Sequence, residues 1–247
     1  MAPVALVKLG GSLITDKTTP HSFRREVVSA LGDEMAASRQ KVLLVHGGGS
    51  FGHPLAKEYG LTSARYSPEG LGVSRTRAAM YELNQLVCKA LIDSGVQPYT
   101  FSPFDLLMNT SSKYAKSWLN KLLASGLSPI TFGDVSSTPT GFRVLSGDTI
   151  MYKLAGLLRP GRCIFAMDLD GVYQGDKGNL LHTISGAQVK KLRLAHGEDA
   201  TGGIRLKLEV AAKIAAMGTK VGFVSGFRRR EFAKCLKGLD FYGTVVR

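Results

Sequence analysis

The chain has 247 residues, of which 44% are hydrophobic, and its 32 lysines and arginines against 19 aspartates and glutamates give a formal net charge of +13. This length and apolar content predict a single globular domain over residues 1–247. No run of about 18 apolar residues occurs, and no basic stretch precedes the short apolar segment near the first residue, so we expect neither a membrane span nor a secretory signal. A cytoplasmic protein is therefore expected.

The cysteines and the positive charge narrow the possible partners. Cys88, Cys163 and Cys235 are far apart and lie in apolar surroundings, which favours reduced core thiols over a disulfide framework or a zinc site. The charge favours contact with anions: nucleic acid, acidic membranes or phosphorylated small molecules. The densest basic run, at 227–238, lacks interleaved aromatic residues. We interpret it as the solvated face of a late helix and expect no nucleic-acid partner.

Apolar, β-branched runs recur along the chain, with helical patterning between them. They lie at residues 4–9, 41–45, 128–132, 163–168 and 220–224. Strands that alternate with helices are typical of a largely parallel sheet. We therefore predict an α/β fold with an open, mainly parallel central sheet and helices on both faces, an αβα sandwich.

Other patterns predict two helices and a hairpin. A long apolar stripe indicates a helix that Ser74 caps and that ends near Gly95. A second helix is predicted over residues 201–217. Between residues 133 and 147, turn residues flank a short alternating stretch, which predicts a β-hairpin.

Glycine-rich segments follow the first two predicted strands, where ligands bind in open parallel sheets. In KLGGSLITDK, Gly10 and Gly11 allow close approach of the backbone, Ser12 can bind phosphate oxygens, and Lys8 and Lys17 flank them with positive charge. In HGGGSFGH, residues 46–53, free backbone N–H groups precede a helix predicted to start at Ser50, which makes an anion site.

Two phosphate-binding loops at neighbouring strand ends favour an enzyme that brings two phosphorylated ligands together, as a small-molecule kinase must. Neither segment matches a Walker A loop or a dinucleotide-binding fingerprint. The alternative interpretation is that these glycines only permit tight turns between strand and helix.

Later segments offer further candidates. Gly147 and Asp148 open a predicted helix, and the Asp148 carboxylate could hold lysines in place. Asp168 ends the fourth apolar run and could contact a nucleotide or orient basic groups. Gly203 lies at a helix start with Lys207 one turn later, and helical side chains lean toward the N-terminus, so Lys207 can reach a phosphate held there.

Taken in order, the segments KLGGSLITDK, HGGGSFGH, LSGDTI, DLDGVY and DATGGIRLK resemble the amino acid kinase superfamily over nearly the whole chain. The segment GGGSFGH is typical of a narrower group, and it resembles the isopentenyl phosphate kinases and the related fosfomycin kinases. The resemblance implies phosphorylation of isopentenyl phosphate by ATP, with Mg²⁺ on the ATP phosphates and no dedicated protein metal site. It also implies a homodimer, an acceptor-binding lobe at about residues 1–160 and a nucleotide-binding lobe at about 161–247.

The resemblance also implies a role for each matching residue. Lys17 would stabilise the transferring phosphoryl group, and Asp148 would organise the lysines. Gly48, His53 and Gly147 would hold the acceptor phosphate. The ATP side would comprise Lys8, Gly10, Gly11, Ser12, Gly49, Asp168, Tyr173, Gly203 and Lys207.

The chemistry of a phosphate acceptor explains why a histidine follows the glycines. A phosphate monoester has a second pKa of about 6, so it is mostly dianionic at neutral pH and needs no strong base. It does need help in approaching another anion, and His53 can donate a hydrogen bond and share positive charge. We interpret His46, which ends a predicted strand, as a hydrogen-bonded structural residue instead.

The sequence indicates less clearly which residues bind the acceptor's tail and which acceptor is used. Val73 and Met80 form an apolar pair on the long helix and are candidates to line an isoprenoid pocket, although ordinary packing explains them equally well. One alternative function is a kinase of the same fold for another small alkyl phosphate or for a phosphonate such as fosfomycin. Another is a non-catalytic regulator that binds nucleotide or nucleic acid.

Overall fold

One eight-stranded sheet organises the protein. The computed structural model describes residues 4–62, 70–139, 141–175, 178–189, 192 and 203–247. Its strands are β1 (Ala5–Leu9), β2 (Val42–His46), β3 (Pro98–Thr100), β4 (Ser128–Phe132), β5 (Asp134–Thr138), β6 (Gly141–Leu145), β7 (Arg162–Met167), β8 (Tyr173–Gln174), β9 (Asn179–Leu180), β10 (Thr183–Ile184), β11 (Lys220–Ser225) and β12 (Thr244–Val246). The sheet order is β10-β12-β11-β7-β1-β2-β4-β3, and β5-β6 and β8-β9 form separate hairpins.

All neighbours in the large sheet pair in parallel except β11 and β12. Helices cover both faces. They are α1 (Gly11–Ile14), α2 (Arg25–Ser38), α3 (Gly49–Glu58), α4 (Gly70–Asp93), α5 (Pro103–Met108), α6 (Ser112–Ala124), α7 (Gly147–Leu158), α8 (Gly186–Val189), α9 (Gly203–Ala215) and α10 (Arg229–Lys237). The predicted αβα sandwich is confirmed.

The alternating directions of the side chains along β1 determine on which face of the sheet Lys8 lies. Val7 and Leu9 belong to the core shared with α2 and α4, whereas Leu6 belongs to the core shared with α7 and α9. Because successive side chains of a strand point to opposite faces, Lys8 lies on the same face as Leu6 and its side chain points toward α7. A cation in this buried strand therefore needs a partner from α7.

The structure corrects two predicted helix starts. The long helix already includes Gly70, so Ser74 lies inside α4 and does not cap it. The acceptor-side helix begins at Gly49 and not at Ser50. The predicted helix over 201–217 is α9, but residues 201 and 202 lie outside the described residues. None of the described helices is long and apolar enough to cross a membrane.

The basic run lies on a late helix, and Cys163 and Cys235 are buried, as predicted, whereas Cys88 is only half-buried and its Sγ lies 3.4 Å from the Thr100 hydroxyl. The run forms α10, where Arg229 pairs with Asp33 at 3.3 Å and Glu34 at 3.2 Å. All three cysteines are free thiols. Burial raises the pKa of Cys163 and of Cys235 to about 12, so both stay protonated at neutral pH.

Candidate active site

The two glycine segments touch each other at the carboxyl ends of β1 and β2. The Gly47 N–H donates to the Leu9 carbonyl at 3.0 Å, which ties the second loop to the first strand. A Cβ at Gly47 would lie 2.7 Å from the Gly11 nitrogen, and one at Gly11 would collide with the Gly49 nitrogen. The glycines therefore have a packing reason beyond tight turns, because only bare backbone lets the loops approach this closely.

Thr15 fixes the geometry of this contact. Its hydroxyl donates to the Gly11 carbonyl at 2.8 Å and accepts the Ser50 N–H at 2.9 Å. Gly49 has a φ of +47°, a left-handed conformation that disfavours side chains, and a Cβ there would collide with Thr15 Oγ1. One buried hydroxyl thus joins the start of α1 to the start of α3.

Lys8 and Asp148 form the central ion pair. Lys8 Nζ lies 2.5 Å from Asp148 Oδ1, with side-chain exposures of 7% and 16%. Burial lowers the pKa of Lys8, and so does the charge of Lys207, while Asp148 opposes both effects. Asp148 therefore favours the charged form of a lysine that burial alone would tend to neutralise.

The start of α7 lies beside this pair. Ser146 caps the helix, with its hydroxyl accepting the Thr149 N–H at 3.1 Å. A Cβ at Gly147 would lie 3.1 Å from Lys8 Cε and 3.5 Å from the His46 carbonyl, so Gly147 is at the ends of both β1 and β2. Helix N-termini favour anions, and this one lies next to the glycine loops.

The candidate nucleotide residues lie on the β7 side of the first loop. Ser12 Oγ donates to Asp168 Oδ1 at 3.0 Å, which connects that loop to the end of β7. Lys207 lies one turn after Gly203 on α9, and its Nζ donates to the Gly203 carbonyl at 3.1 Å. Tyr173, on β8, is farther along and donates through its hydroxyl to Asp170 at 3.4 Å.

Lys17 and His53 both have exposed side chains. Lys17 lies in a turn after α1, and His53 lies in the second turn of α3. A Cβ at Gly48 would be 3.2 Å from His53 Cδ2, so the imidazole lies directly against the second glycine loop. The structure thus brings His53, Gly48 and Gly147 to the β2 side of the Lys8 pair.

His46 is buried and hydrogen-bonded, in agreement with its structural interpretation. Its ring nitrogens lie 3.1 Å from the Gly47 carbonyl and 3.3 Å from Asn84 Oδ1, and its ring stacks on Phe132. Burial lowers its pKa to about 4, so the ring is neutral at neutral pH. His46 therefore helps to hold the second glycine loop in place through its contact with the Gly47 carbonyl.

Met80 and Val73 lie in different surroundings although both are on α4. Met80 is 2% exposed, and its Sδ would be 3.0 Å from a Cβ at Gly48 and 2.5 Å from one at Gly52. Val73 packs instead on a small cluster that includes Ala56. Met80 therefore borders the second glycine loop directly, whereas Val73 lies farther along α4.

Three residues of this region were not predicted from the sequence. They are Thr15, Asn84 and Arg24, whose Nη1 donates to the Ser12 carbonyl at 3.0 Å. Thr15 stands inside the glycine segment, so its position was a usable signal. Asn84 and Arg24 act through contacts made by folding, and no sequence pattern indicates them.

Comparisons with known proteins show which family the chain resembles in sequence and in fold. The sequence pattern of the amino acid kinase family matches residues 3–225. The chain is 31% identical to the isopentenyl phosphate kinase of Thermoplasma acidophilum, over 98% of this chain and 99% of that protein. It is 29% identical to the isopentenyl phosphate kinase of Methanothermobacter thermautotrophicus, over 98% of each.

Solved structures match the fold over nearly the whole chain. The crystal structure of the T. acidophilum isopentenyl phosphate kinase product complex matches with a TM-score of 0.81 at 29% identity, over 99% of this chain and 100% of that chain. A structure of an isopentenyl phosphate kinase substrate complex matches with a TM-score of 0.82 at 27% identity, over 99% of this chain and 100% of that chain. The chain belongs to the amino acid kinase family.

Proposed function

We propose that the protein transfers the γ-phosphoryl group of ATP to isopentenyl phosphate, giving isopentenyl diphosphate and ADP. The observation that carries this proposal is the contact between the loops at Gly11 and Gly49, which sets the two proposed phosphate-binding loops against each other. The full-length similarity to isopentenyl phosphate kinases supports the choice of acceptor.

The ATP phosphates would bind at the first loop and the start of α9. The backbone N–H of Gly11 and the Ser12 hydroxyl would hold phosphate oxygens, with Lys8 and Lys207 supplying charge. The Gly10 N–H donates to the Ala166 carbonyl at 2.9 Å, so Gly10 would contribute by letting the backbone approach the phosphates closely. The charge of Lys207 lowers the pKa of Lys8, as expected of two cations that face one anionic group. The remaining proposed ATP contacts are Gly49, Asp168, Tyr173 and Gly203.

The acceptor phosphate would bind at the second loop. Gly48 and Gly147 would contribute backbone N–H groups, and the start of α7 would add its helix dipole. His53 would donate a hydrogen bond to the acceptor phosphate and share positive charge with it. Met80 and Val73 are proposed to border the apolar tail.

In the reaction, an acceptor phosphate oxygen attacks the γ-phosphorus while the bond to the β-phosphate oxygen breaks. The acceptor is already dianionic, so no residue has to remove a proton. Catalysis then consists of positioning and of charge stabilisation by Lys8, Lys17 and Lys207. Asp148 contributes by keeping Lys8 charged and oriented.

The residues present fit a Mg²⁺ ion held by ATP and not by a protein cage. Among the described residues, no three histidine, cysteine, aspartate or glutamate side chains come together as a metal site. Asp148 is paired with Lys8, and Asp168 accepts from Ser12. Mg²⁺ commonly keeps substrate phosphates as its ligands, and there it would offset part of the phosphate charge.

We further propose the lobe arrangement, assembly and compartment that the resemblance implies. Strands β7, β11, β12 and β10 lie on one side of β1, and β2, β4 and β3 lie on the other, which matches a nucleotide half and an acceptor half. A cytoplasmic homodimer is proposed, and free thiols suit that compartment. Sedimentation at micromolar concentration would reveal the dimer or a monomer.

The acceptor is tested by an ADP-release assay with Mg·ATP and three acceptors: isopentenyl phosphate, dimethylallyl phosphate and fosfomycin. The proposal predicts turnover of the isoprenoid phosphates well above that of fosfomycin. A reversed order would assign the site to a phosphonate. Absence of turnover with all three would leave the fold in place and move the function to another acceptor or to a binding role.

A further inference from the structure

Arg24 lies just before α2 and is outside the set of residues proposed above to bind substrates. Its Nη1 donates to the Ser12 carbonyl at 3.0 Å, and its Nη2 lies 3.6 Å from Asp16 Oδ2. The side chain is 32% exposed, so solvent only partly screens these contacts. A planar guanidinium carries donors in a fixed fork, and one side chain can therefore bridge two acceptors.

Asp16, which pairs with Arg24, also binds the turn that contains Lys17. Its Oδ1 accepts the Thr18 N–H at 2.9 Å and the Thr18 hydroxyl at 2.7 Å. These bonds close the chain around Lys17. The Thr18 hydrogen bonds, with Arg24 as a smaller contribution, hold the pKa of Asp16 below its usual value, so the carboxylate is ionised at neutral pH.

Arg24 also contacts the other side of the nucleotide region. Its guanidinium lies 5.7 Å from the ring centroid of Phe227, which follows β11. The preceding residue, Gly226, donates its N–H to the Met167 carbonyl at 2.8 Å, at the end of β7. Arg24 thus contacts the first glycine loop, the Lys17 turn and the segment after β11 at the same time.

We propose that Arg24 is a positioning residue for phosphoryl transfer, which holds the Ser12 loop and the Lys17 turn in a fixed relation. The inference rests on the phosphate roles proposed above for Ser12 and Lys17. Arg24 touches neither substrate in this account and acts through a carbonyl and a carboxylate. A lysine in its place would keep the charge, but its compact ammonium cannot span both acceptors.

The first test compares Arg24→Met and Arg24→Lys with Arg25→Met. Arg25 is a matched control because it is the next residue along and forms an exposed ion pair with Asp93. We expect kcat to fall about 10- to 100-fold in both Arg24 variants, with the KM for the acceptor changed less than about threefold. Arg25→Met should keep the wild-type kcat, and thermal unfolding should verify that each variant is folded.

A double-mutant cycle separates positioning from a general loss of stability. If Arg24 acts through Asp16, Asp16→Asn also lowers kcat, and the double variant with Arg24→Met is no slower than the slower single variant. Losses that multiply, or a wild-type kcat in folded Arg24→Met, would overturn the proposal.

The proposed function can fail independently of this inference. Lack of turnover by the wild-type protein would refute the acceptor assignment, and crystal structures of wild type and Arg24→Met would then decide the role of Arg24. A displaced turn at residues 16–18 in the variant supports it, whereas an unchanged turn and Ser12 carbonyl overturn it.

Discussion

Lys8 and Asp148 are 140 residues apart in sequence and 2.5 Å apart in the folded protein. Lys8 comes from the second-last position of β1, and Asp148 comes from the first turn of α7. Their pairing places the Lys8 side chain beside two glycine loops and the start of a helix. In such a buried setting, removal of one partner leaves the other charge without compensation.

Asp148→Asn should impair the enzyme through Lys8. Burial and Lys207 lower the pKa of Lys8 and Asp148 raises it, so the variant should have a still lower Lys8 pKa. Lys8 must be protonated to stabilise phosphate charge, and activity is lost as pH rises through its pKa. We therefore expect kcat to fall about 100-fold or more at neutral pH, in line with losing one preorganised electrostatic group.

The pH dependence of kcat/KM checks this mechanism. The decline on the alkaline side should begin at lower pH in Asp148→Asn than in the wild type. Asp240→Asn, which changes an exposed carboxylate, should keep the wild-type profile. An alkaline limb at the same pH in all three proteins would contradict the role assigned to Asp148.

His46 should make stability depend on pH. Its pKa is about 4 in the folded protein and about 6.5 in an unfolded chain. As pH falls from 7 toward 4, the unfolded chain gains a proton that the folded protein does not, so the free energy of unfolding falls by up to about 3 kcal/mol from this group. Urea unfolding of His46→Gln should show a flatter pH dependence over this window than the wild type. Equal slopes in the two proteins would rule out a buried neutral His46.

Gly49→Ala should destabilise the contact between the loops. The substitution places a side chain at a φ of +47° and in collision with Thr15 Oγ1. Gly60 is the matched control, because it has a φ of +65° and no atom of the described residues lies within 4 Å of the point where a Cβ would be. Urea denaturation should give a loss of about 1–2 kcal/mol for Gly60→Ala and about 1–3 kcal/mol more for Gly49→Ala. Similar losses of unfolding free energy in the two variants would mean that the contact between the loops does not stabilise the protein.

Met80→Ala should widen the acceptor side and relax its choice of substrate. The side chain packs on Gly48 and Gly52, so its truncation opens space beside the second loop. We expect the kcat/KM ratio of geranyl phosphate to isopentenyl phosphate to rise about 10-fold or more. Met35→Ala, a buried methionine on α2, controls for lost stability, which we expect to be about 2–5 kcal/mol in either variant. An unchanged ratio in Met80→Ala would remove Met80 from the tail pocket.

The sequence predicts those parts of the site that lie at the ends of regular strands. The runs at β1, β2, β4, β7 and β11 are apolar enough to predict strands, and parallel strands bring their following loops to one edge. Strands β3, β10 and β12 have only two or three residues each, and pairing within the sheet defines them more than their own residues do. For that reason they were not predicted.

Contacts between distant segments explain what else was missed. The glycines at Gly11 and Gly49 predicted phosphate binding, but their direct contact depends on how β1 and β2 pair. Arg24 is one arginine among many in a basic chain, and its contacts with the Ser12 carbonyl, Asp16 and Phe227 in the folded protein distinguish it. Because α4 includes Gly70, a good capping residue, Ser74, lies inside the helix and does not cap it.

Phosphorus NMR of the reaction products tests the central claim most directly. Wild-type protein with Mg·ATP and isopentenyl phosphate should produce the two coupled resonances of isopentenyl diphosphate, in step with ADP, and His53→Ala should lose most of this signal while His182→Ala keeps it. If ATP instead yields ADP and inorganic phosphate while the isopentenyl phosphate resonance stays unchanged, the facing loops do not transfer a phosphoryl group to this acceptor.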